Sequence, residues 1–180
     1  MFRVLSLAVV AGLALSVSAD DLKSGTAEGT KIGGPFTVKA ITGERKGDEL
    51  CYVCKYNGEK KPAVVLIFTQ QADSNLAQVI KAIDEVQKAD AKLGTCVVGV
   101  SGVEAADFEK LQAEHKLTTP LTVAIDKDGP KKYELSKGAG VTVLVYKAGG
   151  VVSKNFAFKD TKEAAQKSAE IAKAAKEVLN

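Results

Sequence analysis

Two cysteines three positions apart, Cys51 and Cys54, have the type and spacing that are typical of redox chemistry. Two thiols at this spacing can close a small disulfide, and a thiolate at such a pair attacks other disulfides. Lys55 beside the pair favours the thiolate form, whereas Asp48 and Glu49 oppose it. One interpretation is therefore thiol–disulfide exchange, with Cys51 as the attacking thiol, if it is the more exposed, and Cys54 as the resolving thiol.

A third cysteine, Cys96, leaves the pairing open. It lies in a predicted buried strand, where a free cysteine commonly packs as a small hydrophobic side chain. The alternative is a structural disulfide from Cys96 to Cys51 or Cys54. In the chain-entropy model, closing that loop of about 42 residues contributes roughly 4 kcal/mol, against roughly 2 kcal/mol for the four-residue loop. The bond between Cys51 and Cys54 can itself be structural instead of reactive.

Metal and haem chemistry fit the cysteines poorly. Zinc normally takes four ligands, and His115 is the single histidine of the sequence. Covalent haem attachment requires a histidine directly after the Cys-Xaa-Xaa-Cys motif, and Lys55 stands there. We therefore expect no metal site and no cofactor.

Composition and charge narrow the class of protein. The chain has 180 residues, of which 46% are hydrophobic and 26% are charged, as in an ordinary globular domain. Its 25 basic and 22 acidic residues give a formal net charge of +3. Because this balance lacks the basic excess that binds a phosphate backbone, we expect no nucleic-acid partner.

The first segment has the features of a cleavable secretory signal. Arg3 precedes an apolar run from Val4 to Val17, and the small residues Ser18 and Ala19 follow it. The run is about 14 residues, shorter than the roughly 20 that a membrane-spanning helix needs. We therefore predict a signal peptide at residues 1–19, a secreted or periplasmic protein, and no stable membrane span after its removal. An oxidising compartment of this kind favours disulfides.

The chain after the signal divides into a leader and one domain. Residues 20–34 are polar and rich in glycine, which predicts a flexible leader before a domain at 35–180. A first strand is predicted at 35–42, whereas residues 43–61 show no periodicity of a long element. The continuous apolar run at 62–68 is typical of a central strand buried on both faces of a parallel sheet.

The rest of the domain alternates helices and strands. Residues 73–75 supply capping side chains, and apolar residues then recur at helical spacing: Leu76, Val79, Ile80, Ile83 and Val86. The remaining predicted elements are strands at 95–101 and 121–125, a helix at 105–116, a hairpin of 141–146 with 151–158, and a final helix from about Asp160. This alternation predicts a parallel core to which the hairpin adds antiparallel strands, so the fold class is α/β with a mixed sheet.

Several short segments occur in an order that is found in a known superfamily. They are Gly34-Pro35-Phe36, Gly43, Leu121 to Asp126, Asp128-Gly129, Tyr133-Glu134-Leu135, Val141 to Val145 and Gly149-Gly150-Val151. The pattern resembles the thioredoxin-like superfamily, in its peroxiredoxin or TlpA-type branch, over roughly Gly33 to Leu179. The resemblance implies a three-layer fold with a mixed central sheet, and partners that are protein thiols or disulfides.

The positions that carry chemistry in this superfamily differ here. Its reactive cysteine lies in the loop after the central strand, and residues 69–73 of this chain contain no sulfur. Its cis-proline precedes the first strand of the hairpin in a Pro-Thr pair, and this chain has Val141-Thr142. The displaced pair of Cys51 and Cys54 is the remaining candidate for exchange. The alternative is a redox-inactive binding or scaffold module in which these sulfurs form a structural disulfide.

Overall fold

The computed structural model describes residues 22–180, so the predicted signal peptide at 1–19 lies outside the described residues. The strands of this part are β1 (Val38–Ala40), β2 (Glu49–Leu50), β3 (Ala63–Thr69), β4 (Leu93–Gly99), β5 (Leu121–Ala124), β6 (Val141–Lys147) and β7 (Val152–Phe158). The helices are α1 (Tyr52–Gly58), α2 (Ser74–Ala89), α3 (Ala105–His115), α4 (Thr161–Gln166) and α5 (Ser168–Leu179), with a 3-10 turn at Lys131–Tyr133.

The strands form one sheet in the order β2-β1-β5-β4-β3-β6-β7. Parallel pairing joins β3 to β4 and β4 to β5, whereas β1, β2, β6 and β7 pair antiparallel with their neighbours. Every residue of β3 is buried, as the continuous apolar run predicted for the central strand. The predicted α/β class with a mixed sheet is therefore confirmed.

Layers of side chains cover both faces of the sheet. Helices α2 to α5 pack on one face, around a core that includes Val65, Ile80, Phe108 and Ile171. On the other face, α1 and the 3-10 turn cover a second cluster, whose largest fully buried side chains include Phe68 and Tyr133. The predicted final helix is two helices, α4 and α5, because the backbone at Lys167 departs from helical angles.

The segment at residues 22–34 packs against the hairpin of β6 and β7, which differs from the flexible leader that its composition predicted. The hydroxyls of Ser24 and Thr142 are 2.6 Å apart, and the Gly29 N–H donates to the Val152 carbonyl at 2.8 Å. Gly25 has a φ of +86°, and a Cβ there would lie 2.7 Å from a methyl of Thr142. A glycine therefore lets this backbone approach the sheet closely, and hydrogen bonds across the contact hold it there.

Helix α1 was not predicted, because seven residues are too few to show a helical period. Tyr52 and Tyr56 lie one turn apart on it, and both are buried against the sheet. The Tyr56 hydroxyl donates to the carbonyl of Thr95 in β4. A Cβ on Gly94 would lie 2.9 Å from the Tyr56 ring, so the glycine admits the ring against the strand. These contacts fix α1, which carries the cysteine pair, on the sheet.

Candidate functional site

Cys51 and Cys54 form a disulfide at the start of α1, with their Cα atoms 5.2 Å apart. Cys51 is the N-cap residue of the helix and has extended backbone angles. Its Sγ accepts a hydrogen bond from the Cys54 N–H at 3.1 Å. Because a hydrogen bond to sulfur favours the charged form, this contact stabilises a thiolate on Cys51 when the disulfide opens.

The two cysteines differ in exposure. Cys54 is exposed to solvent, whereas Cys51 is half-buried. The sequence predicts that Cys51 is the attacking thiol only if Cys51 is the more exposed of the two cysteines. In the structure the more exposed cysteine is Cys54. An external thiol reaches the sulfur of Cys54 more easily, since exchange depends on access to the sulfur that is attacked.

Two of the charged residues next to the pair, Lys55 and Asp48, are engaged with other groups, whereas Glu49 is exposed and forms no ion pair within the described residues. Lys55 forms an ion pair with Glu59 at 2.6 Å, and its ammonium lies 5.4 Å from the centre of the Tyr56 ring. Asp48 accepts a hydrogen bond from Arg45 at 2.6 Å. Their opposing charges are thus compensated locally. The Cys54 N–H remains the observed contact that favours a thiolate on Cys51.

Cys96 is a free, buried thiol, so the bridge from Cys96 to the pair is not formed in this structure. It lies in β4 within the same buried cluster as Tyr52 and Tyr56, where it packs as a small apolar side chain. Its Sγ lies 3.8 Å from the Thr122 hydroxyl. Burial raises the pKa of the Cys96 thiol to about 12, which leaves it neutral and unreactive near neutral pH.

Cys96 is expected to resist alkylation in the native protein and to react with iodoacetamide only after unfolding. Labelling near neutral pH with and without urea, followed by mass spectrometry, measures this. Native labelling as fast as labelling in urea would contradict the prediction.

The burial of Cys96 also makes stability depend on pH. The free energy of unfolding should fall as pH rises from the thiol's ordinary pKa of 9.0 towards 12, because the unfolded chain loses a proton that the native chain keeps. A Cys96→Ala variant should lack this contribution to the fall in the free energy of unfolding.

A cleft of about 500 Å³ opens beside Cys54. Its walls come from α1, from the segment at 31–35 and from the turn between β6 and β7. Tyr146 also lines the cleft, and its buried hydroxyl has no hydrogen-bond partner within the described residues. The one signal of this tyrosine in the sequence is a hydroxyl that directly follows the apolar run of residues 143–145 in β6.

Across residues 22–180, no group of three or more His, Cys, Asp or Glu side chains is placed to hold a metal ion. In that same part of the chain, no helix has the length and apolar character required to cross a membrane.

No family model matches the chain, and no curated protein sequence matches it. Solved structures do match. Peroxidoxin BcpB from Mycobacterium tuberculosis is 17% identical, with a TM-score of 0.55 over 85% of this chain and 97% of the other. The thioredoxin domain of a thiol-disulfide oxidoreductase from Bacteroides vulgatus is 16% identical to this chain. Its TM-score is 0.56 over 79% of this chain and 97% of the other.

A third similar structure is a thiol:disulfide interchange protein of the thioredoxin family from Chlorobium tepidum, which is 15% identical. Its TM-score is 0.54 over 86% of this chain and 98% of the other. The chain has a thioredoxin-like fold. The predicted three-layer fold with a mixed central sheet is thereby confirmed. At these identities the likeness extends to the fold alone.

The loop after β3, where the resemblance to the thioredoxin-like superfamily would place a reactive cysteine, is held by a network of hydrogen bonds. The Gln70 N–H donates to the Gly140 carbonyl at 2.9 Å, which ties the loop to the start of β6. Asp73 caps α2 by accepting from the Leu76 N–H at 2.9 Å, and it also accepts from the Thr161 hydroxyl at 2.7 Å. The contact between Asp73 and Thr161 joins the start of α2 to the start of α4.

Replacing Asp73 with alanine is expected to lower the free energy of unfolding by about 1–2 kcal/mol, because α2 loses its N-cap. Denaturant unfolding measures this change. Asp73→Asn is the matched control, since asparagine is also a good N-cap and should retain most of the stability. Exchange at Cys51 and Cys54 should proceed at the wild-type rate in both variants. A slower exchange with unchanged stability would mean that this loop takes part in the chemistry.

Proposed function

We propose that this chain is an exported thiol–disulfide oxidoreductase that exchanges disulfides with partner proteins through Cys51 and Cys54. The observation that supports it most is the disulfide itself, which places an exposed cysteine in the first turn of a helix and its partner at the N-cap. The similar structures include a thiol-disulfide oxidoreductase domain and a thiol:disulfide interchange protein, which favours the same chemistry.

The exposures suggest the order of steps. A thiolate of the partner attacks the sulfur of Cys54, the bond between Cys51 and Cys54 breaks, and Cys51 leaves as a thiolate. The Cys54 N–H stabilises this leaving group, which speeds its departure. A second thiolate of the partner then attacks the partner's own sulfur in the mixed disulfide and releases Cys54. The partner is oxidised by two electrons and the cysteine pair is reduced; the reverse sequence reduces a partner disulfide.

Export is the second part of the proposal, and residues 1–19 are the proposed signal peptide. In a secreted or periplasmic setting, the cysteine pair is kept oxidised between cycles. N-terminal sequencing of the protein recovered from the medium or periplasm tests this. We expect a mature chain that begins at Asp20, whereas a cytoplasmic chain that retains Met1 would refute export.

Peptide mapping by mass spectrometry, without reduction and then along a titration with a mild monothiol, tests the redox activity. We expect a Cys51–Cys54 bridge that opens at low thiol concentration, with Cys96 unmodified throughout. The Cys96→Ala variant is the control, and its bridge should open at the same concentration. A bridge that opens only in denaturant would refute exchange and favour the alternative, a redox-inactive binding or scaffold module.

A further inference from the structure

The cleft beside Cys54 is apolar on its walls and basic at its rim. Ile32, Val53 and Val64 contribute apolar surface. Lys31 and Lys147 are exposed at the cleft and have no ion-pair partner within the described residues. No aspartate or glutamate of residues 22–180 lines it. Its electrostatic potential is therefore complementary to a negatively charged ligand.

Tyr146 supplies an unsatisfied polar group in this cleft. The residue is 5% exposed, and its hydroxyl has no hydrogen-bond partner in the described part of the chain. A buried hydroxyl without a partner is costly, so native structures rarely retain one unless another group completes it. The third lysine of the cleft, Lys61, is engaged, because its ammonium donates to the Ala91 carbonyl at 2.8 Å.

We propose that this cleft is the recognition site for the substrate, an acidic peptide segment that carries an apolar side chain close to its cysteine. The inference rests on the proposed function, since it is Cys54, on the cleft wall, that the substrate cysteine meets. The apolar side chain packs against Ile32 and Val53, and the carboxylates pair with Lys31 and Lys147. The Tyr146 hydroxyl bonds to a polar atom of the peptide. The volume of the cleft is that of sites that hold compact ligands, which limits the contact to a few residues.

Equilibrium binding of labelled peptides to the oxidised protein, followed by fluorescence anisotropy, tests the charge preference. The peptides have serine in place of cysteine and differ only in acidic or basic residues beside one leucine. We expect the acidic peptide to bind about tenfold more tightly, with a preference that weakens as salt rises. The double variant Lys31→Glu, Lys147→Glu should lose that preference, whereas Lys81→Glu, an exposed lysine on α2, should retain it. Equal binding of both peptides would overturn the proposal.

Tyr146→Phe tests the hydroxyl with two readouts. Affinity for the acidic peptide should fall about fivefold, because a buried hydrogen bond to the peptide is lost. The urea midpoint of the free protein should stay the same or rise, since the hydroxyl has no partner among residues 22–180. A lower midpoint with unchanged peptide affinity would show that the hydroxyl serves folding, and would remove it from the site.

Reactions with thiols separate a failure of this inference from a failure of the proposed function. Opening of the wild-type disulfide by dithiothreitol, a neutral small thiol, reports on exchange alone, whereas the serine peptides report on the cleft alone. An inert disulfide with selective peptide binding would refute exchange and leave an acidic-peptide binding site. Ready exchange without a charge preference would refute the cleft proposal. Displacement of the acidic peptide by reduced glutathione at equal concentration would refute a peptide in favour of a small anionic thiol.

Discussion

Replacing Cys51 with serine is expected to trap a mixed disulfide on Cys54 and to reduce turnover to background. Cys54 is exposed and keeps its thiol in this variant, but the only other thiol, Cys96, is buried and cannot reach the mixed disulfide to release the bound partner. Incubation with oxidised glutathione, followed by intact mass spectrometry, measures the trapped product. We expect nearly complete modification by one glutathione, located at Cys54 by peptide mapping.

The matched variant Cys54→Ser leaves only the half-buried Cys51 in the site. Because exchange depends on access to the sulfur, its mixed disulfide should form about tenfold more slowly. Cys96→Ala is the second control and should behave as the wild type, since Cys96 is buried. Faster trapping at Cys51 than at Cys54 would reverse the proposed order of steps, and absence of trapping in both variants would refute the redox mechanism.

Replacing Tyr56 with alanine is expected to lower the free energy of unfolding by about 3–5 kcal/mol, the range for large aromatic deletions in a core. The ring packs on Gly94 and its hydroxyl bonds to Thr95, so the variant removes both of these contacts between α1 and the sheet. Urea unfolding measures the loss. The disulfide should also become easier to reduce, because α1 then opens locally more often than the rest of the fold.

Tyr56→Phe separates packing from hydrogen bonding. It keeps the ring against Gly94 and removes only the donor to Thr95, which should cost about 1 kcal/mol. A loss in Tyr56→Phe as large as in Tyr56→Ala would show that the hydrogen bond, and not the ring, anchors α1. A stable Tyr56→Ala variant with normal reduction of the disulfide would show that α1 is positioned by other contacts.

The core of the fold follows from the sequence because its signals are local and repeated. The run at 62–68 is apolar at consecutive positions, since β3 is covered on both faces, and it lies where predicted. The helical spacing from Leu76 to Val86 corresponds to the buried face of α2, and Asp73 is its N-cap. Asp160 likewise caps α4 by accepting from the Glu163 N–H. Each of these features depends on residues that are close to each other in the sequence.

The absence of sulfur from the loop after β3 is also a property of the sequence alone. Without a cysteine, that loop cannot carry out thiol–disulfide exchange in any structure. Cys51 and Cys54 are therefore the candidate pair. Which cysteines bond to each other does not follow from spacing. Loop-closure entropy alone favours a long bridge to Cys96. The structure pairs Cys51 with Cys54 and buries Cys96 in β4.

Tertiary contacts decide α1 and the cleft, for a physical reason. A seven-residue helix is not stable by its own hydrogen bonds, and α1 is held by a contact of Tyr56 with Thr95, 39 positions away. The missing partner of the Tyr146 hydroxyl depends on which atoms surround it, and these come from segments far apart in the chain. Local patterns determine which elements form, whereas exposure, pairing and the shape of a site exist only once those elements have packed.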